Sequence, residues 1–227
     1  MIRRQIDDSL FNDLFGIAKS RKGARTVANI LDACLSVIEK EGWSNLTQEK
    51  VAERAGIKAG TLRYYYSTKE ELTSATVKHM AQQVKSLLYE NIDQSLVDPL
   101  DRFLDMIDAM LTVNEQLNEV LVWELWALTA HDPMANELLE KYYGWIVGEI
   151  AGLLKEINPE MNTDLCFCRA AAIMSLSDGS HIFVGKTLPK KKELKKFGSI
   201  LRESMLKVAG IEPDAISKSK AKKYKEK

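Results

Sequence analysis

Cysteine and histidine are both scarce in this sequence, with three of each in 227 residues. Cys34, Cys166 and Cys168 are too few, and odd in number, for a disulfide framework, so a reducing cytoplasmic setting is expected. Three scattered histidines, with no nucleophile–base pair, no phosphate loop and no metal-ligand spacing, leave an enzyme without its working parts. No catalytic residue, metal or cofactor is therefore expected. His131-Asp132 reads as the end of one helix and the cap of the next, and Cys166-x-Cys168 as two small packing residues. No apolar run approaches the roughly 18 residues of a membrane span. The longest, 120–130 and 146–154, are broken by Glu124 and Glu149. Charged residues stand at the start, where an export signal needs its apolar stretch, so export is not expected. The first 98 residues contain no proline, and the formal net charge is zero, which excludes a uniformly basic nucleic-acid coat.

What is present is an ordinary globular composition, 45% apolar and 28% charged, unevenly distributed. The balance of basic over acidic residues is +3 in 1–66, −12 in 67–185 and +9 in 186–227. Such asymmetry suggests parts with different tasks. Several prolines follow Asp or Asn, as at Pro99, Pro133 and Pro159, and mark helix starts. No stretch alternates with period two. The expectation is an all-α chain with helices near 24–41, 47–54, 58–65, 68–93, 99–112, 115–130, 134–157, 161–187 and 190–209. A short amphipathic helix is expected over 4–18, since Ile6, Leu10, Leu14 and Ile17 recur at helical spacing.

The informative segment begins at residue 24. Val27, Ile30, Leu31, Cys34, Leu35 and Ile38 form a helical stripe that stops at Gly42. Thr47 suits an N-cap, and the short helix after it ends at Gly56. A further helix starts two residues on, which is helix-turn-helix spacing. Two steeply crossed helices need a small residue at the closest approach, Ala52, and a turn residue that takes positive φ, Gly56. Val51, Ala55, Ile57 and Leu62 should seal the small core. With Leu62 and Tyr66 inward, the second helix can turn Ala59, Gly60, Thr61, Arg63 and Tyr64 to a major groove, Lys58 standing at its start. The fork of Arg63 matches the two acceptors of guanine. Gly60 allows close approach, and Thr61, Tyr64 and Tyr65 offer hydroxyls. Lys69 starts the next helix, where it and exposed N–H groups can hold a phosphate. The basic run Lys19, Arg21, Lys22 and Arg25 reads as an arm in front of the first helix.

Residues 24–72 resemble the DNA-binding domain of the TetR/AcrR family of transcriptional regulators. The resemblance rests on 33–42, Leu46-Thr47, Val51-Ala52, Ala55-Gly56-Ile57, Gly60-Thr61-Leu62, Tyr65-Tyr66 and the run from Ser67 to Leu72. It implies backbone contacts from Thr47, Thr61, Tyr65 and Lys69, and base reading by Arg63 and Tyr64. Two departures stand out: Lys58-Ala59 where the family has a Ser-like cap and then Lys, and Arg63 where an aromatic is common. Both point to a different operator sequence. Weaker similarity to the choline- and betaine-related repressor subgroup returns at Glu124-Leu125-Trp126-Ala127, His131-Asp132-Pro133, 142–145 and Ser177-Asp178-Gly179.

In the remaining chain, Phe103, Met106, Met110, Trp123, Trp126, Tyr142, Trp145, Met174 and Asp178 are the candidate effector-binding residues, large aromatics and methionines being suited to an apolar pocket. The acidic balance would favour a cationic effector. Two stripes, one of Phe167, Ala170, Ala171 and Met174 and one of Leu194, Phe197, Leu201, Met205 and Val208, are the candidate dimer surface, a four-helix bundle from two copies. The expected domains are 1–23 (arm or short helix), 24–72 (helix-turn-helix), 73–210 (helical effector and dimerisation domain) and 211–227 (Lys-rich disordered tail). The function read is a cytoplasmic homodimeric repressor of a palindromic operator in double-stranded DNA, released by a small-molecule effector, with no membrane partner. Effector binding is expected to act through the helix at 68–93. The alternative is a DNA-bound adaptor whose second domain docks a protein.

Overall fold

Ser20 opens the described chain by accepting the Gly23 N–H at 3.1 Å, which caps the first helix, α1 (Arg21–Glu41). The structure is a computed structural model that describes residues 20–182 and 194–211. The expected helix at 4–18, Lys19, residues 183–187 and 190–193 of the last two helices, and the tail from 212 onward lie outside these residues. The described residues are helical throughout their regular structure, with no strand among them, as the all-α reading requires. They divide into two compact units.

The first unit runs from the start of α1 to Ser86 and takes in Asn118–Tyr143. Val27, Ile30, Leu31, Cys34, Val37 and Ile38 of α1 are completely buried, while Leu35 is only half-buried; Val37 takes its expected place. After Gly42 comes a 3-10 turn, Trp43–Asn45, which the sequence reading did not foresee. The next two helices are α2 (Gln48–Ala55) and α3 (Ala59–Tyr65). Thr47 caps α2, its hydroxyl accepting the Lys50 N–H at 3.3 Å. Gly56 ends α2 at φ 66°, its N–H closing on the carbonyls of Ala52 and Glu53, so the turn needs the residue found there. Val51, Ala52 and Leu62 are buried as expected, whereas Ala55 and Ile57 are half-buried rims of that small core. The long helix α4 (Lys69–Asn91) begins with a reciprocal cap: Thr68 Oγ1 accepts the Glu71 N–H at 3.1 Å, and the Glu71 carboxylate accepts the N–H groups of Ser67 and Thr68. Leu72, Thr76, Val77 and Met80 carry the buried face of α4.

Helix α6 (Glu119–Thr129), which follows α5 (Pro99–Gln116), also belongs to the first unit. The expectation had assigned the whole of 73–210 to a second domain. The reason for the difference is polar: Glu124 Oε2 accepts the Trp43 N–H at 3.0 Å, and Asn118 Nδ2 donates to Glu39 Oε1 at 2.8 Å. Helix α7 (Pro133–Ile157) starts in this unit, with Asp132 accepting the Ala135 N–H as its cap, as expected.

The second unit holds Leu87–Leu117 and the chain from Gly144 onward. It contains α5, the later part of α7, α8 (Thr163–Ile182) and α9 (Phe197–Ala209). Asp98 caps α5 through the N–H groups of Leu100 and Asp101, with Pro99 at its first position. Phe103, Ile107, Ile146, Ile150, Ala170, Ile173 and Met205 form the centre of the core. Arg202 grips Asp108 through Nε and Nη2, at 2.5 and 3.1 Å. Asn114 donates to the hydroxyl and carbonyl of Ser177 at 2.8 and 3.0 Å.

Candidate nucleic-acid interface

The site is one face of a seven-residue helix. Leu62 is completely buried and Tyr66, just past the helix end, is 1% exposed, so α3 is pinned by two residues one turn apart. That fixes the opposite face. Lys58, Ala59, Gly60, Thr61, Arg63 and Tyr64 are all exposed, and Tyr65 is half-buried. Tyr64 is 68% exposed, unusual for so large a ring, and meets Tyr65 edge-on at 5.1 Å between centroids. No heavy atom outside the local backbone lies within 4 Å of where a Cβ on Gly60 would stand. The protein's own packing therefore does not demand glycine there.

Tyr66 belongs to the core, as its place in the triplet suggested. Its hydroxyl is buried without a hydrogen-bond partner, and desolvation raises its pKa well above the ordinary tyrosine value. Burial likewise pushes the Cys34 thiol up to about 12. Both groups are neutral at physiological pH and serve as packing.

One expectation about phosphate-binding groups changes. Arg21, Lys22 and Arg25 are not an arm in front of α1; they occupy its first turns, exposed. Cations at the positive end of a helix dipole oppose its stability, and no acidic residue in the first turn offsets them. At the start of α4, the N–H groups of Ser67 and Thr68 are already held by Glu71, at 2.7 and 3.3 Å. These bonds, with one from the Ser67 hydroxyl, hold the Glu71 carboxyl below its usual pKa. Lys69 is exposed beside them. Thr47 is half-buried, its hydroxyl oxygen capping α2.

The sequence reading missed Gln48. Its Nε2 donates to the carbonyls of Tyr66 and Ser67, at 3.0 and 3.2 Å, and its Oε1 accepts from Arg63 Nε at 3.3 Å. Glu49 Oε1 lies 3.4 Å from Arg63 Nη2. No sequence pattern announces this; the pair stands 14 and 15 residues from Arg63 and meets it only because α2 and α3 cross.

The candidate effector residues are not gathered in one unit. Phe103, Met106, Met110 and Met174 are buried core of the second unit, where Trp145 and Asp178 are half-buried. Trp123, Trp126 and Tyr142 belong to the first unit. There Trp126 packs on Tyr143 at 5.8 Å and Tyr143 on Tyr142 at 5.4 Å. The candidate dimer stripes also need correction. Ala170, Met174, Leu201 and Met205 are each no more than 9% exposed within their own chain, so they are spent on the core. Leu194, Phe197 and Val208 are half-buried. Phe167 and Ala171 remain outward, joined by Leu165, Cys168 and Ala172 on α8 and by Ile200 on α9.

Comparison with known proteins agrees with this geometry. Residues 30–76 match the family described as bacterial regulatory proteins, tetR family. Among characterised relatives, the transcriptional regulator BetI of Burkholderia cenocepacia is 28% identical over 113 residues, which cover 49% of this chain and 58% of that protein. PksA of Bacillus subtilis is 25% identical over 126 residues, covering 55% and 60%. The chain thus spans about three fifths of the length of these relatives. In fold, a TetR transcription regulator from Haloarcula marismortui superposes with a TM-score of 0.67 at 15% identity, over 82% of this chain and 97% of that one. GusR of Salmonella enterica superposes with a TM-score of 0.64 at 15% identity, over 82% and 96%. Residues 30–76, the helix-turn-helix segment, are thus similar to the tetR family of bacterial regulatory proteins.

Proposed function

We propose that the protein is a sequence-specific DNA-binding transcriptional regulator, acting as a homodimeric repressor that a small-molecule effector releases from a palindromic operator. One observation carries the DNA-binding part: α3 buries Leu62 and Tyr66 and leaves Ala59, Gly60, Thr61, Arg63 and Tyr64 outward on one face. A helix so held enters a major groove with its side chains already aimed at base edges. Arg63 reads a guanine, and Tyr64 and Thr61 contact bases or phosphates beside it. Thr47, Tyr65, Lys58, Lys69 and Arg25 supply backbone contacts. The cations gathered at the start of α1, a poor choice for helix stability, suit a phosphate strand running past that end.

The repressor and effector parts rest on family likeness and on two half-buried groups of the second unit, Trp145 and Asp178. The buried methionines and Phe103 serve that unit as packing.

The test is footprinting upstream of the protein's own gene, with and without candidate effectors, paired with Arg63→Ala. The substitution should cost about 1–3 kcal/mol of operator binding and relax one base per half-site. An Arg63→Ala protein that protects the same bases at the same concentration as wild type would refute the base-reading role.

A further inference from the structure

We infer that Gln48 and Glu49 are positioning residues that turn Arg63 into a single-edge reader of guanine and suppress its attraction to DNA of any sequence. The inference rests on the DNA-reading role proposed for α3.

The geometry is specific about which edge of the guanidinium is taken. Arg63 Nε points at Gln48 Oε1 and Nη2 at Glu49 Oε1, at 3.3 and 3.4 Å. These two nitrogens form one side of the fork. The end of the fork, Nη1 with the second proton of Nη2, is the edge left over. That edge has the spacing of guanine O6 and N7.

Gln48 is a fixed acceptor. Its amide nitrogen faces two carbonyls, of Tyr66 and Ser67, which can only accept. The amide therefore has one possible orientation, with its oxygen toward Arg63. Because Tyr66 is the buried residue that closes α3, the amide is anchored to the same point that sets the pose of the recognition helix. Arg63 is thus oriented against the backbone of its own helix end, through one side chain. Holding a long flexible side chain before contact lowers the ordering cost of binding.

Glu49 acts differently. Its side chain and that of Arg63 are 69% and 60% exposed, and an exposed ion pair is weak on its own account. Its effect is on the alternatives. A carboxylate beside the guanidinium cancels much of the pull that a phosphate would exert on it, and faces any phosphate that comes close with like charge. A guanine edge, which carries no net charge, is not repelled in that way. The pair accordingly sacrifices general affinity and keeps discrimination.

The test uses the full chain and the duplex that wild type selects from a random-sequence pool. Fluorescence anisotropy measures binding to that duplex, to versions with each base pair exchanged in turn, and to an unrelated duplex. The proteins are wild type, Arg63→Ala, Glu49→Ala, Gln48→Ala, and each of the last two combined with Arg63→Ala. Arg63→Ala should remove a preference of about five- to a hundredfold for one guanine per half-site. Glu49→Ala and Gln48→Ala should each lose a several-fold part of that same preference and of no other. Glu49→Ala should also bind the unrelated duplex more tightly. In the Arg63→Ala background neither should alter the base profile. Glu49 is exposed, so its variant tests the inference even if Gln48→Ala fails to fold. A guanine preference that survives Glu49→Ala and any folded Gln48→Ala protein but not Arg63→Ala overturns the positioning role and leaves the reading role standing. Should wild type select no duplex, or Arg63→Ala keep every base preference, the reading role fails and takes the inference with it.

Discussion

Gly42 and Gly56 are both turn glycines, yet they differ in how much the fold depends on them. Gly42 stands at φ 80° and ψ 167°, a region open essentially to glycine alone. A Cβ there would lie 3.2 Å from Glu124 Oε2, the atom that accepts the Trp43 N–H. Gly56, at φ 66° and ψ 32°, sits in the ordinary left-handed region with nothing within 4 Å of an added Cβ. Gly56→Ala should therefore cost about 1–2 kcal/mol, the strain of one left-handed residue. Gly42→Ala should cost about 1–3 kcal/mol from backbone strain and more from the displaced carboxylate. Thermal unfolding should rank Gly42→Ala well below Gly56→Ala; the reverse order would show that Glu124 bears no load on that turn. Gly56 was legible in advance because a helix-turn-helix requires it. Gly42 read only as a helix stop, since its partner, Glu124, lies 82 residues away in the sequence.

Helices are legible where their ends are written in local chemistry. Thr47 and Asp132 each cap the helix that the sequence assigned to them, and Asp98 caps the helix that Pro99 marks, because a cap bonds within three residues. The face of a helix is harder. On α8 the stripe of Ala170 and Met174 is apolar and so is its neighbour, Phe167 with Ala171; only packing decides which goes inside. Helix α6 carries apolar residues on every side, interrupted by Glu124, and buries none of its residues, so its membership could not be read from periodicity. The start of α4 carries a prediction of its own. Glu71, fully exposed, has its pKa lowered chiefly by the Ser67 hydroxyl, then by the N–H groups of Ser67 and Thr68. A depressed folded pKa means that the carboxylate stabilises the fold above its ordinary value of 4.5 and loses that effect as pH falls through the lower folded value. Glu71→Gln should lower the melting temperature at pH 7 and leave the difference from wild type shrinking below about pH 4.5. A difference that stays constant to the foot of the acid limb would show that the cap does not depend on charge.

At the scale of the whole molecule, binding the palindrome proposed above would require two recognition helices about 34 Å apart, one for each half-site. A single chain supplies one. The outward residues of α8, Leu165, Phe167, Cys168, Ala171 and Ala172, recur at three- and four-residue spacing, and Leu165 and Phe167 are 44% and 47% exposed. Ile200 of α9, 58% exposed, adds to them in the same unit. Small residues at Ala171 and Ala172 permit a partner helix to approach closely, and apolar residues beside them give it a reason to do so. A partner held this way leaves Ala170 and Met205 to the core of each chain. Ala171→Glu should thus convert the proposed dimer into a monomer of 25.6 kDa in sedimentation without lowering helix content. Operator binding should weaken with it, because each half-site must then be held alone. Ala170→Glu should instead unfold the unit, its carboxylate having no water to reach. The two neighbours therefore separate assembly from folding. If Ala171→Glu keeps the dimer mass of wild type, two copies do not join through this face of α8.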